Sequence, residues 1–214
     1  KYLDKKFRDR VVLPVDSKGQ YKRGMIVIDG QATSLDHEMQ QHRKPSQPKE
    51  KTETSQPLSG SRMAAGGHLN FAMERNYDAE AQVMGMELEG IDIAVMFPTM
   101  GLSLIARDNM DSHLSLALCQ AYNNWIHDFA QHSPDQLKRA AMLPLQDVNM
   151  ACAELARCAN ELGAVGSFVR PNMIDGHFWH SNYWNPLFEM HCALDVSMGF
   201  HEGTGAHNSH MNVL

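Results

Sequence analysis

Residues 140–172 read AAMLPLQDVNMACAELARCANELGAVGSFVRPN. Within them an apolar run, an amphipathic stretch and a second apolar run follow one another, each with its own punctuation. Ala140-Ala141-Met142-Leu143 reads as a strand stopped by Pro144, because proline brings no N–H to a ladder. Asp147 can cap the helix that follows, its carboxylate accepting from the first free amides. Val148, Ala151, Cys152, Leu155, Ala159 and Leu162 make the apolar stripe of that helix, and Gly163 stands where a C-cap glycine belongs. Val165–Arg170 is then a strand, broken at Pro171. Strand, helix, strand in so short a span is a βαβ unit, and such a crossover makes the two strands parallel.

The same alternation extends outward in both directions. Upstream, Asp78–Glu89 reads as a helix closed by Gly90 in a left-handed C-cap. Ile91–Phe97 follows as a short apolar run ended by Pro98, which suits a strand buried on both faces. The next helix carries Leu114, Leu118, Ala121, Tyr122, Trp125 and Phe129 as its stripe, with Asp111 as N-cap and Pro134 beyond its end. Downstream, a short helix opens near Pro186 with Leu187, Met190 and Leu194, and the last strand is Val196–His201. The fold class is therefore α/β with a parallel sheet. A doubly wound sheet and a (β/α)8 barrel share this alternation, so the pattern alone leaves both open.

Composition narrows the function classes. The chain has 214 residues, 43% hydrophobic and 21% charged, with a net charge of -6. No run approaches the roughly 20 apolar residues that span a bilayer, and no basic stripe suits a nucleic acid. The expectation is a cytoplasmic protein with a small-molecule substrate, no nucleic acid and no membrane partner; a homo-oligomer stays open. The four cysteines, Cys119, Cys152, Cys158 and Cys192, fall in helical segments without metal-ligand spacing and read as buried free thiols. Residues 1–70 read as an irregular loop region, with Met25–Ile28 as a strand ending at Asp29-Gly30. Within it, 44–61 (KPSQPKEKTETSQPLSGS) holds no aromatic residue and reads as a mobile loop. Residues 71–214 form the second unit.

In parallel α/β folds, chemistry gathers at the carboxyl ends of the strands. Here those ends read Phe97-Pro98-Thr99, Leu143-Pro144-Leu145, Val169-Arg170-Pro171-Asn172 and Phe200-His201-Glu202-Gly203. His201, fixed in direction by a rigid strand, is either a metal ligand or a hydrogen-bonded core histidine. Glu202 is a candidate base, ligand orienter or substrate contact, or else a solvated loop charge. Arg170 could clamp a substrate carboxylate in a bidentate pair or close an intramolecular salt bridge, and Asn172 is a similar candidate. The aromatic stretch His177-Phe178-Trp179-His180 with Tyr183-Trp184 could line a pocket, form an interface or pack over the strand ends. The histidines at 37, 42, 68, 113, 127, 132 and 191 read as bystanders, while His207 and His210 could belong to an active-site loop. His201–His207 is no zinc-protease motif, since Gly205 stands where H-E-x-x-H needs its second histidine. Phosphate-loop and nucleophile-elbow patterns do not occur.

Taken in order, Gly90-Ile91-Asp92 through Phe97-Pro98-Thr99, Ala121-Tyr122-Asn123-Asn124-Trp125, Pro134-Asp135-Gln136-Leu137-Lys138, Leu143-Pro144-Leu145-Gln146-Asp147, Phe168-Val169-Arg170-Pro171-Asn172 and Gly199-Phe200-His201-Glu202-Gly203 resemble the amidohydrolase-related (amidohydrolase 2) family. The resemblance covers roughly residues 70–205. It implies a (β/α)8 barrel with a divalent metal, most often zinc, at the carboxyl ends of its strands, and hydrolysis or non-oxidative decarboxylation of a small carboxylate-bearing substrate. By position, His201 matches the metal-ligand histidine that ends the fifth strand. Arg170, Asn172 and Glu202 fall on the substrate side. In the family the ion polarises the substrate or acidifies its bound water.

One departure is plain. The family draws two ligands from an H-x-H on its first strand, and no H-x-H occurs here. The resemblance places the family's acid/base histidine and ligand aspartate on later strands, beyond Leu214. The chain also starts at Lys1 without a methionine. The expectation is a partial (β/α)8 TIM barrel holding strands two to five, an internal piece of a longer enzyme that binds metal poorly and is inactive alone. The alternative is a non-catalytic barrel-like scaffold or ligand-binding protein that lacks the metal site.

Overall fold

The computed structural model describes residues 1–15, 17, 25–34, 70–98, 101 and 107–201, with the side chains of 25, 32–34, 70 and 73 excepted. After a 3-10 turn at Lys5–Arg10, three strands follow: β1 (Val11–Val12), β2 (Met25–Ile28) and β3 (Gln31–Ser34). Then come α1 (Asn70–Glu74), α2 (Ala79–Glu89), β4 (Ala94–Met96), α3 (Ser112–Ala130), β5 (Leu137–Met142) and α4 (Val148–Asn160). The chain continues through β6 (Gly166–Val169), a 3-10 turn at Asn182–Trp184, α5 (Asn185–Leu194) and β7 (Ser197–Phe200).

β4, β5, β6 and β7 lie side by side in sequence order, and every pair is parallel. A doubly wound sheet reverses its order at a switch point; this sheet does not, and its winding is that of a barrel. The stagger agrees. β4 pairs with Leu137–Arg139 of β5, whereas β6 pairs with Ala140–Met142, so successive strands are displaced along one another. Such displacement is the shear that lets a sheet curl toward closure. The molecule therefore carries a four-stranded part of a (β/α)8 barrel with its helices.

Side-chain alternation assigns the two faces. Ala141, Leu143 and Val169 join Val148, Ala151, Leu155 and Cys158 of α4, Leu187 of α5 and Trp184 in the main core. Ala140, Met142 and Phe168 point the other way and meet Cys119 and Tyr122 of α3. The backbones of β6 and β7 approach closely at Gly166. A Cβ added at Gly166 would stand 2.7 Å from the Ser197 carbonyl oxygen, so the approach of these strands requires glycine there.

The caps at Asp111, Asp147 and Gly90 follow the sequence reading: both carboxylates accept hydrogen bonds from amides of the first turn, and Gly90 closes α2 at φ 69°. Asp78, read as the first residue of its helix, is instead its N-cap and accepts from the Ala81 amide. Four further expectations are corrected. First, residues 91–97 are not a strand buried on both faces: only Ala94–Met96 pairs, and Ile91, Ile93, Val95 and Phe97 are exposed. β4 has a partner on one side alone among the described residues. Second, the buried face of α3 is Leu114, Ser115, Ala117, Leu118, Cys119, Asn123, Ile126 and Ala130, and Trp125 is exposed. α3 serves two partners, because Leu114, Ala117 and Leu118 pack on Ile26, Ile28 and Phe7 while Cys119 faces the sheet. Third, the N-terminal region is not irregular throughout. Asp29 and Gly30, at φ 50° and 76°, make a tight turn that pairs β2 with β3, the use an Asp-Gly pair commonly serves. Fourth, Cys192 is exposed, while the other cysteines are buried and free. The stretch 44–61 lies outside the described residues.

Asn123 is an interior fastener. Its Nδ2 donates to the Met142 carbonyl (2.9 Å) and its Oδ1 accepts from the Met142 amide (2.9 Å), as a neighbouring strand would. The same Nδ2 donates to Glu154 Oε1 (2.7 Å), whose carboxylate also receives Arg157 through two nitrogens. A carboxylate 1% exposed is thereby paired and hydrogen-bonded, the condition for burying charge.

Candidate functional site

The carboxyl end of the parallel sheet gathers the strand-end residues. His201 follows β7, and its backbone amide donates to the Val169 carbonyl (2.8 Å), so β6 continues to hold the chain there. Its half-buried ring lies 5.6 Å from Phe97 and 6.4 Å from Phe168, and those two rings are 5.8 Å apart. Three rings from three strands thus share the sheet face that carries Met142, opposite α4 and α5. Tyr122 adds an edge-on contact to Phe168 at 6.3 Å, and burial pushes its hydroxyl well above the usual phenol range. An imidazole against an apolar wall at strand ends is shielded from water on one side and directed by rigid backbone.

Arg170 sits at the end of β6 on the same sheet edge, yet its side chain is only 3% exposed. Its Nη2 donates to Asp108 Oδ1 and to the Met173 carbonyl. Asn172 is half-buried in the loop that follows. Glu202, His207 and His210 lie outside the described residues. The structure therefore brings His201 together with Phe97 and Phe168, and ties Arg170 to Asp108. Among the described residues no group of three or more His, Cys, Asp and Glu could hold a metal ion.

Asp108 belongs to a short segment that reading the sequence passed over. Arg107 donates to the Ile28 carbonyl (3.3 Å) and to Gln31 Oε1 (2.7 Å), and its own carbonyl accepts from Gln146 Nε2 (2.9 Å). Arg10 bridges Asp29 and Asp111. Segment 107–111 thus fastens the β2–β3 hairpin and the loops after β5 and β6 to one rim. The only sequence signal for it was the polar run Arg107-Asp108-Asn109, which loops share generally.

The aromatic stretch packs rather than opening a cavity. Trp184 is fully buried, Trp179 stacks on it at 4.6 Å and donates from Nε1 to the Arg170 carbonyl (2.8 Å), and His177 stacks on Tyr183 at 3.8 Å. His191 is a core residue: its Nε2 meets Ser167 Oγ at 2.7 Å and its Nδ1 meets the Leu187 carbonyl at 2.8 Å. A carbonyl can only accept, so Nδ1 carries the proton and Nε2 accepts from Ser167. No helix among the described residues is long and apolar enough to cross a membrane.

Comparison with known proteins places these features. The profile of a family described as Amidohydrolase matches residues 61–213. A 2-keto-4-carboxy-3-hexenedioate hydratase of Sphingobium sp. is 32% identical over 119 residues, 52% of this chain and 34% of that protein. A gamma-resorcylate decarboxylase of Polaromonas sp. is 33% identical over 85 residues, 37% of this chain and 26% of that protein. Among solved structures, 2,6-dihydroxybenzoate decarboxylase complexed with 2,6-dihydroxybenzoate superposes with a TM-score of 0.50 at 25% identity, covering 56% of this chain and 38% of that one. A dihydroxybenzoic acid decarboxylase of Polaromonas sp., with bound manganese and 2-nitroresorcinol, gives a TM-score of 0.50 at 24% identity over 56% of this chain and 37% of that one, a likeness of fold. The matched stretches span about a third of these proteins' own length.

Proposed function

Because the chain belongs to the amidohydrolase family, we propose that it supplies part of the barrel of a divalent-metal-dependent enzyme acting on a small carboxylate-bearing substrate. Loss of carbon dioxide or addition of water is the chemistry of the related decarboxylases and hydratase; hydrolysis is the family's third possibility. The observation that carries the reading is His201, seated at the carboxyl end of β7 against Phe97 and Phe168.

In this proposal His201 is one metal ligand. A protein metal site of this kind takes about three protein ligands, and the described residues do not complete one, so no reaction step is routed through the ion. Zinc is the ion the sequence resemblance suggests, and manganese is the ion in the Polaromonas structure. Phe97 and Phe168 keep water from one flank of the imidazole, which raises the strength of any charge interaction there. In the same proposal Asn172 contacts the substrate, Glu202 keeps the substrate role the resemblance implies for it, and Arg170 acts through the loop it anchors. The 214-residue chain by itself is expected to bind zinc or manganese weakly and to turn over nothing.

The test is elemental analysis of a longer chain that carries the remaining barrel strands, with and without His201→Ala. The proposal expects near-stoichiometric zinc or manganese in the parent and at least about a tenfold loss of affinity in the variant. Unchanged metal content removes His201 from the ligand set. A completed barrel that holds no metal favours the alternative, a barrel-like ligand-binding scaffold.

A further inference from the structure

Asp108 and Asp175 stand in two loops far apart in sequence, and each carboxylate accepts from the other's loop. Asp108 Oδ1 accepts from the Asp175 amide (3.3 Å), and Asp175 Oδ1 accepts from the Asn109 amide (2.6 Å). The exchange is reciprocal across 66 and 67 residues of chain. Arg170 closes the third side, its Nη2 on Asp108 and on the Met173 carbonyl. Both loops turn through left-handed backbone at the contact, Asn109 at φ 56°, Asp175 at 46° and Gly176 at 83°. Asn and Asp are the non-glycine residues that take this conformation most readily.

We infer that Asp108, Asp175 and Arg170 form a carboxylate clasp that locks the loop carrying Asn172 against segment 107–110 at the carboxyl edge of the sheet. Asp108 is the resident anion on Arg170, so substrate meets the loop that the clasp holds and not the guanidinium. The inference rests on the proposed function for its meaning at the site, while its geometry stands without it. Segment 107–110 is itself fastened to the hairpin by Arg107 and to the loop after β5 by Gln146. The clasp is therefore what adds the loop after β6 to that rim. Asp108 is the more exposed member of its ion pair, its side chain 22% exposed against 3% for Arg170.

The chemistry makes a graded prediction. Asp175 uses only an oxygen acceptor, which asparagine retains; Asp108 uses an acceptor and a charge, of which asparagine keeps the first. Hydrogen–deuterium exchange of the 214-residue chain is read in peptides covering 107–111 and 171–176, with α4 as the internal control. Asp175→Ala is expected to speed exchange in 107–111 by about tenfold, the scale of one lost hydrogen bond, while Asp175→Asn stays close to the parent. Asp108→Ala is expected to speed exchange in 171–176, Asp108→Asn to fall between it and the parent, and the double alanine variant to exceed neither single change. If Asp175→Asn is as damaging as Asp175→Ala, if exchange rises equally in α4, or if neither loop responds, the clasp is wrong. Should Asp108→Ala fail to fold, the two Asp175 variants still decide. Loss of His201 as a ligand would not alter these exchange rates, so the two proposals fail separately.

Discussion

At the residue scale, His191 shows how a buried titratable group makes stability depend on pH. Burial between α5 and β6 pushes its imidazole below the ordinary histidine value, against a smaller upward pull from the Leu187 carbonyl. The unfolded chain then takes up a proton at a higher pH than the folded one, so the contribution is full above the unfolded value of about 6.5 and is lost as pH falls through the folded one. Urea midpoints measured from pH 8 to pH 5 should decline, and His191→Gln should flatten that decline while lowering stability throughout. An unchanged slope in the variant would assign the acid sensitivity elsewhere. His191 read in sequence as one histidine among many; only its distance from Ser167 Oγ sets it apart. Arg170 is similar. Its place after an apolar strand marked it as interesting, but nothing in the sequence near it announced Asp108, 62 residues earlier.

At the element scale, Asn123 ties three elements through one carboxamide: α3, which carries it, β5 through Met142, and α4 through Glu154. Asn123→Asp would remove the donor to Met142 and Glu154 and set a second carboxylate against a buried one. A loss of about 3 kcal/mol or more is expected at neutral pH, the scale of breaking a buried charged pair, measured by urea unfolding. Caps and breaks were legible, because Asp111, Asp147 and Gly90 act on amides and carbonyls within a few residues of themselves. The buried face of α3 was not. Its apolar residues outnumber those of one stripe, and which of them faces the sheet depends on the hairpin that takes Leu114 and Leu118.

At the scale of the whole molecule, β4 and β7 are the two ends of the parallel sheet, each paired on one side among the described residues. Val95 is 46% exposed and Phe200 53% exposed at these ends. Strand edges with apolar side chains are templates for pairing with another chain. The 214-residue chain is therefore expected to associate as its concentration rises, and Val95→Lys with Phe200→Lys to reduce that association, as read by size-exclusion chromatography with light scattering. A monomer at all concentrations would show that these edges are covered.

The sequence by itself determined the alternation of strands and helices, the parallel sheet, the caps, and the row of strand-end residues that ends in His201. These follow from hydrophobic period and from short-range backbone hydrogen bonding, which neighbouring residues control. The hydrophobic pattern left the winding open, the motif resemblance implied a barrel, and the strand order bears that out. Only the tertiary structure decided the stagger of the strands, that Phe97, Phe168 and His201 meet, and that Arg170 is held by Asp108. Each of these joins residues from separate crossovers. Their meeting depends on strand order and stagger, which no local period encodes.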